Sequence, residues 1–453
     1  MLFGSGKDIW IRPSSEANPK QPSGRGPPVK NLTILVIVSL FAITNSRNAF
    51  PQTLFSVVSI PGVSPNSQIA INNNGQVLTN TATATAYQQS IWNRLTGGQA
   101  LSLVGTNNGA TAINRSAEIV GAGVPDSSGN LVAFMDGPAG TQWLPSLGGN
   151  LSAAKGINDA GAVVGLSYTA TVVQHAFLWS QAGGIQDLTP DLTSLGGATA
   201  TGINSSNQVV GFYFPNGSGR TLGFTWTQAG GLQNLGPAGT LAYAVNESGT
   251  VVGRSPNATG FQHAFSWTQA SGIKDLGTLG GGESSALGVN KLGWIVGTSL
   301  TTSTTGLPHG FLWTPSLGMK DFTTLAGLGT GQHPYSVQVN DFGVIALSTN
   351  TGGYLLVPKM ATTFSSSVSP SVLGQPVTFT ATMTSIAGPP PDGEPVQFLV
   401  SGTVVGTSSL KGGVATFTTS AIPLGSHTVV AKYNGDANYL PAKFSVIAQL
   451  VNP

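Results

Sequence analysis

From Leu54 to Val357 apolar residues come in short alternating runs, each ended by glycine, asparagine or proline. That spacing predicts short half-buried strands rather than helices, because a strand turns every second side chain to the same face. Phe177 and Trp179 are two apart and share a face, as do Phe224 and Trp226, Phe265 and Trp267, and Phe311 and Trp313. A bulky pair on one face of one strand, repeated along the chain, is what neighbouring sheets need to pack together.

The runs recur as a unit. The pattern Ile/Val-Asn-x-x-Gly-x-Val/Ile-Val-Gly appears at Asn72, Asn114, Asn158, Asn204, Asn246, Asn290 and Asn340, at intervals of 42, 44, 46, 42, 44 and 50 residues. Asparagine at the first position of a type I turn bonds back to the backbone, and glycine at the fourth accepts a positive φ. That fourth position is Gly75, Gly161, Gly249, Gly293 or Gly343 in five units and Asn207 in a sixth. Ala117 is the departure, where local strain or a different turn is expected.

Each unit reads as four strands: a before the Asn, b after the Gly, c at Phe-x-Trp, and d at an Asp-Leu element such as Asp275-Leu276. Four strands in a repeat of this length match a propeller blade. The last unit, ending at Tyr354–Val357, has no strand d, whereas Leu54–Ile60 precedes the first unit with no a, b or c before it. The prediction is a seven-bladed β-propeller closed by the N-terminal strand.

The elements His175-Ala-Phe-Leu-Trp179, His263-Ala-Phe-Ser-Trp267 and His309-Gly-Phe-Leu-Trp313, with Asp275-Leu-Gly-Thr-Leu-Gly-Gly281 and the Asn motif, resemble the HAF repeats of bacterial extracellular proteins. The resemblance covers residues 54–357 and implies an exported bacterial protein, with no activity attached. Units one and two depart from it, with Gln88-Gln89-Ser90-Ile91-Trp92 and Ala133-Phe134-Met135 in place of the name-giving motif. Beyond Ala361, Ser, Thr and Val alternate and turns fall at the spacing of an immunoglobulin-like sandwich. The segment Tyr433-Asn-Gly-Asp-Ala-Asn-Tyr439 resembles a late-strand signature of bacterial Ig-like domains, which implies a spacer or adhesive module. The chain therefore divides into a leader at 1–49, a propeller at 50–358 and an Ig-like domain at 361–453.

Composition adds compartment. The 62 glycines and 28 prolines, beside only 34 charged residues, fit an all-β chain of tight turns. The net charge of +2 conceals +4 in residues 1–53 and −3 in residues 54–357, so there is no basic stripe for nucleic acid. Leu32–Ile43 is an apolar run after Lys30, too short to span a bilayer and of the size of a signal-peptide core, so export without a stable membrane span is expected. The absence of cysteine excludes disulfides and thiolate chemistry.

No catalytic, cofactor or metal site is expected. His175, His263 and His309 recur by position and read as hydrogen bonding between strands. Asp436 of the C-terminal module lacks the carboxylate partners that calcium requires. Glu118, Asp126, Asp136, Asp191 and Glu283 are the carboxylates outside the repeat, and no pair among them is marked as a glycosidase pair. The b–c loops Leu166–Gln174, Phe212–Leu222, Arg254–Gln262 and Thr298–Pro308 differ in every unit, and Tyr168, Tyr213 and Phe261 in them are aromatics the blade pattern does not need. They are the candidate contacts for an unknown extracellular ligand, a polysaccharide or a surface protein. A non-enzymatic binding or adhesion protein is the expectation, with a lectin-like ring and a hydrolase of the central channel as alternatives.

Overall fold

The computed structural model describes residues 53–82, 87–193, 196–215, 219–303 and 306–453; the leader expected at 1–49 lies outside them. Seven four-stranded antiparallel blades form the ring. Their inner strands a are Ile69–Ile71, Thr106–Ile113, Gly148–Ile157, Gly197–Ile203, Leu241–Val245, Gly280–Val289 and Pro334–Val339. Blade 3 is typical, with b at Val163–Thr169, c at Gln174–Ser180 and d at Gly184–Asp187. In blade 7 the outer strand is Phe55–Ile60, antiparallel to Gly352–Pro358 from Phe55 opposite Pro358 to Ile60 opposite Gly353. The ring is thus closed as the orphan strand required.

The Phe-x-Trp side chains fill the space between blades. Phe177 and Trp179 pack on Val120, Ala133 and Leu144 of blade 2, and Phe224 and Trp226 pack on Val164, Ala176 and Leu188 of blade 3. Phe134, Phe177, Phe224, Phe265 and Phe311 are each no more than 1% exposed. Burying such a ring contributes on the order of 2–3 kcal/mol. In blades 3, 5 and 6 the histidine of strand c pairs with the aspartate closing strand d. The Nδ1–carboxylate distances are 2.6 Å for His175–Asp187, 2.9 Å for His263–Asp275 and 2.7 Å for His309–Asp321. The other oxygen of the same aspartate accepts a backbone N–H two residues on, from Thr189, Gly277 or Thr323.

All seven turns keep one geometry. The fourth-position N–H returns to the Asn carbonyl in each, and Ala117 keeps the common turn at φ 63°, so its departure from glycine brings strain and not a new turn. The 50-residue interval has a separate cause: a one-turn helix, Phe322–Ala326, capped by Asp321, is inserted after strand d of blade 6.

The C-terminal module is a two-sheet sandwich. One sheet joins Ala361–Ser366, Val377–Thr384 and Val414–Thr419, and the other is built on Pro395–Val400, Gly425–Tyr433 and Ile447–Asn452. Phe379, Phe398, Tyr433 and Tyr439 lie in its core. The module docks on the a–b turn face of the ring, where blade 7 meets blade 1. The Asn438 amide donates to the Asn73 carbonyl at 3.0 Å and accepts from Asn340 Nδ2 at 2.7 Å. Arg94 donates to the carbonyls of Asp436 and Tyr439. Phe342 meets Tyr439 edge-on at 6.0 Å, and Ile386, Ala387 and Leu440 cover the apolar clusters of the adjoining blades.

Candidate functional site

The lumen is built from the residues just before each turn. The position preceding the Asn is Ile71, Ile113, Ile157, Ile203, Val245, Val289 or Val339, and these side chains form an apolar collar around the channel. On the turn side of the collar the asparagines make a continuous ring. Each Nδ2 donates to the carbonyl of the next Asn, from Asn72 to Asn114 and so on to Asn340, which returns to Asn72, at 2.8–3.2 Å. The side-chain oxygens meanwhile accept the turn's own N–H groups, as Asn158 does from Ala160 and Ala162.

The carboxylates that follow the asparagines also serve the frame. Asp159, Glu247 and Asp341 accept the backbone N–H groups of Arg115, Ser205 and Lys291 in the preceding blades. At the turn-face mouth these three carboxylates thus bind protein amides.

Three residues before the Asn, strand a of blades 2 to 6 carries a one-residue bulge. The ladder jumps at Thr111, Lys155, Thr201, Tyr243 and Leu287. The cause is the last glycine of the sequence motif. A Cβ at Gly121, Gly165, Gly211, Gly253 or Gly297 would meet a strand-a carbonyl at 2.0–2.1 Å, so only glycine lets the bulged backbone approach. Blades 1 and 7 have Thr79 and Leu347 there; blade 1 pairs without a shift, and in blade 7 the shift moves to Tyr335. The glycine was visible in the sequence, but its meaning as a bulge marker was missed.

A bulge re-aims its side chain, and these five line the lumen. The hydroxyls of Thr111 and Thr201 donate to the carbonyls of Ala154 and Ala242 in the next blade. Lys155, Tyr243 and Leu287 break that rule. Lys155 keeps solvent contact along the lumen but has protein walls around it, and this enclosure lowers its pKa from the ordinary lysine value. Burial raises the Tyr243 phenol, with a smaller opposing effect of Arg254.

The aromatics singled out in the sequence do not form one patch. Tyr168 and Tyr213 lie in strand b, within Val163–Thr169 and Val209–Phe214, because these strands run on past the blade pattern and shorten the loops. The Tyr213 hydroxyl donates to Asn234 at 3.0 Å and its ring lies against Phe224, so it is part of the blade. Tyr168 instead lines a groove between blades 3 and 4 with Val172, Gln174 and Phe214. Val172 is 71% exposed at φ 64°, a conformation that a β-branched residue rarely adopts. Phe261 is exposed beside Gly282, at the junction of blades 5 and 6.

Among the described residues no helix is long and apolar enough to cross a membrane, and no group of three His, Asp or Glu side chains is placed to hold a metal. The carboxylate of Asp436 accepts the N–H groups of Asn438 and Tyr439, which shapes the docking loop.

Comparison with solved structures finds a streptogramin B lyase (11% identity, TM-score 0.43, 67% of this chain and 98% of that one). It also finds the β-propeller domain of the trilobed protease of Pyrococcus furiosus (8%, 0.44, 67% and 94%) and TolB of Acinetobacter baumannii (10%, 0.36, 63% and 63%). No curated protein matches the chain. A family model matches residues 363–452, the docked sandwich, as a bacterial Ig-like domain (group 3).

Proposed function

We propose that this is an exported, non-enzymatic bacterial protein of the HAF-repeat kind that binds an extracellular polysaccharide or surface protein through the b–c face of its ring. The observation that carries the reading is the asymmetry between the two faces. The turn face is given over to the sandwich, the asparagine ring and carboxylates bonded to amides. The opposite face leaves Val172, Phe214 and Phe261 exposed at 71%, 43% and 54%. Apolar side chains held open on a rigid scaffold, next to amides such as Gln174, suit the alternating polar and apolar faces of a sugar chain or a protein surface.

The test is capture of bacterial surface polysaccharides and cells by the immobilised full chain. Joint replacement of Tyr168, Val172, Phe214 and Phe261 by Ser is expected to lower capture at least tenfold, while a matched set at Asp159, Glu247 and Asp341 lowers it less. Loss only in the second set would move the binding surface to the turn face. Release of reducing ends from the captured polysaccharide would overturn the non-enzymatic reading.

A further inference from the structure

On the b–c side of the collar the lumen opens into a cavity of about 400 Å³, within the range of small-molecule sites. The inner strands of blades 2 and 3 wall it, with residues 66–68 ahead of the inner strand of blade 1, Asn80 in strand b of that blade, and Tyr335 of blade 7. Much of the wall is glycine and alanine, so the few larger polar groups decide what fits. Lys155, aimed inward by its bulge, has no hydrogen-bond or ion-pair partner among the described residues. Asn80 is 8% exposed; its Nδ2 donates to the Ala110 carbonyl at 3.0 Å, but its Oδ1 is buried without a partner among the described residues. The Ser67 hydroxyl is likewise buried and unpartnered. Tyr335 is 54% exposed and offers a ring face or edge to whatever enters.

These groups make unequal demands. An unpaired buried amide oxygen requires a donor, at a cost of about 1–3 kcal/mol if none arrives. An ammonium that lines the cavity with no partner among the described residues favours an anion. A bare inorganic anion answers Lys155 and leaves Asn80 unsatisfied. A neutral sugar answers Asn80 and leaves the cation alone. A hydroxylated carboxylate of one-ring size answers both, and a sugar ring adds an apolar face for Tyr335.

We infer that this cavity binds a single acidic sugar residue, its carboxylate on Lys155, a hydroxyl donating to Asn80 and its ring against Tyr335. The inference rests on the binding role proposed above and gives it a substrate class. Lowering of the Lys155 pKa by its surroundings is in keeping with a cation whose counter-ion comes from the ligand.

Calorimetric titration of the full chain with sodium glucuronate and with glucose tests it. Glucuronate is expected to bind at least tenfold tighter than glucose. Lys155→Met should erase that preference without lowering the melting temperature, and Tyr335→Ala should weaken glucuronate severalfold. Equal affinity for the two sugars, or a Lys155→Met protein that still prefers glucuronate, would overturn the assignment. Failure here is separable from failure of the wider reading. If polysaccharide capture persists while glucuronate does not bind, the lumen assignment falls alone; if glucuronate binds while capture is absent, the b–c surface falls alone.

Discussion

Each repeat asparagine performs two tasks with one amide. Its oxygen folds the local turn, a role that spacing and turn chemistry make legible, since Asn and Gly stand where a type I turn needs them. Its nitrogen reaches the next blade, which spacing cannot reveal, because residues more than forty positions apart become neighbours only when the ring is closed. The two roles separate by substitution. Asn246→Asp keeps the acceptor for Ser248 and Thr250 and loses the donor to Asn290. It is expected to cost about 1–3 kcal/mol in denaturant unfolding, and Asn246→Ala more. An Asp variant as stable as the parent would mean that the ring of amides contributes nothing. The bulge glycine has the same character: present in the motif, silent about its reason. Gly165→Ala would push a Cβ to 2.0 Å from the Ala153 carbonyl, and a loss of at least about 2–3 kcal/mol is expected from such overpacking, with Lys155 displaced.

At the scale of elements, the blades were legible because the hydrophobic period, the turn and the histidine–aspartate register all recur. Departures from the period were harder. The overrun of strand b at Tyr168 and Tyr213 gave no turn signal to mark its end, so strand was read as loop. Phe322-Thr-Thr-Leu-Ala326 is too short for a helical period to stand out, and only the long interval betrayed an insertion. The closing strand was legible by arithmetic, as one outer strand was missing at one end and spare at the other. Its weight is concentrated in Phe55, which is 1% exposed and meets Trp294 edge-on at 6.2 Å. Phe55→Ala is expected to cost about 3–5 kcal/mol, and deletion of residues 54–62 to lower the melting temperature sharply. A deletion that melts like the parent would show the blade to be complete without it.

For the whole molecule, the least legible feature was the union of its two parts. Tyr433–Tyr439 reads in sequence as a family signature of the sandwich, yet its middle residues are the latch onto the ring. Negative charge is disfavoured there. Burial raises Glu394 from its ordinary pKa, with Asp436 adding to the effect, and Tyr439 is pushed up to about 12 by the same surroundings. A carboxyl whose folded pKa exceeds its unfolded one binds more protons in the native state between those two values, so stability falls as pH rises through that window. Glu394→Gln should therefore raise the melting temperature at pH 7, and the gain should shrink on the acid side of the window. A gain independent of pH would assign the effect to packing instead.

The latch lies across the junction of blades 7 and 1, and within blade 7 the first strand of the ring pairs with the last. These partners are the farthest apart in sequence, so their contact is the slowest to form and the natural place for a closed array to come open. A clasp added after the ring has closed acts on the lifetime of the native state more than on the speed of reaching it. Arg94→Ala, which frees the carbonyls of Asp436 and Tyr439, should accelerate unfolding while leaving the refolding limb of a chevron in place. Slow escape from the native state is a form of durability that no disulfide supplies in a chain without cysteine.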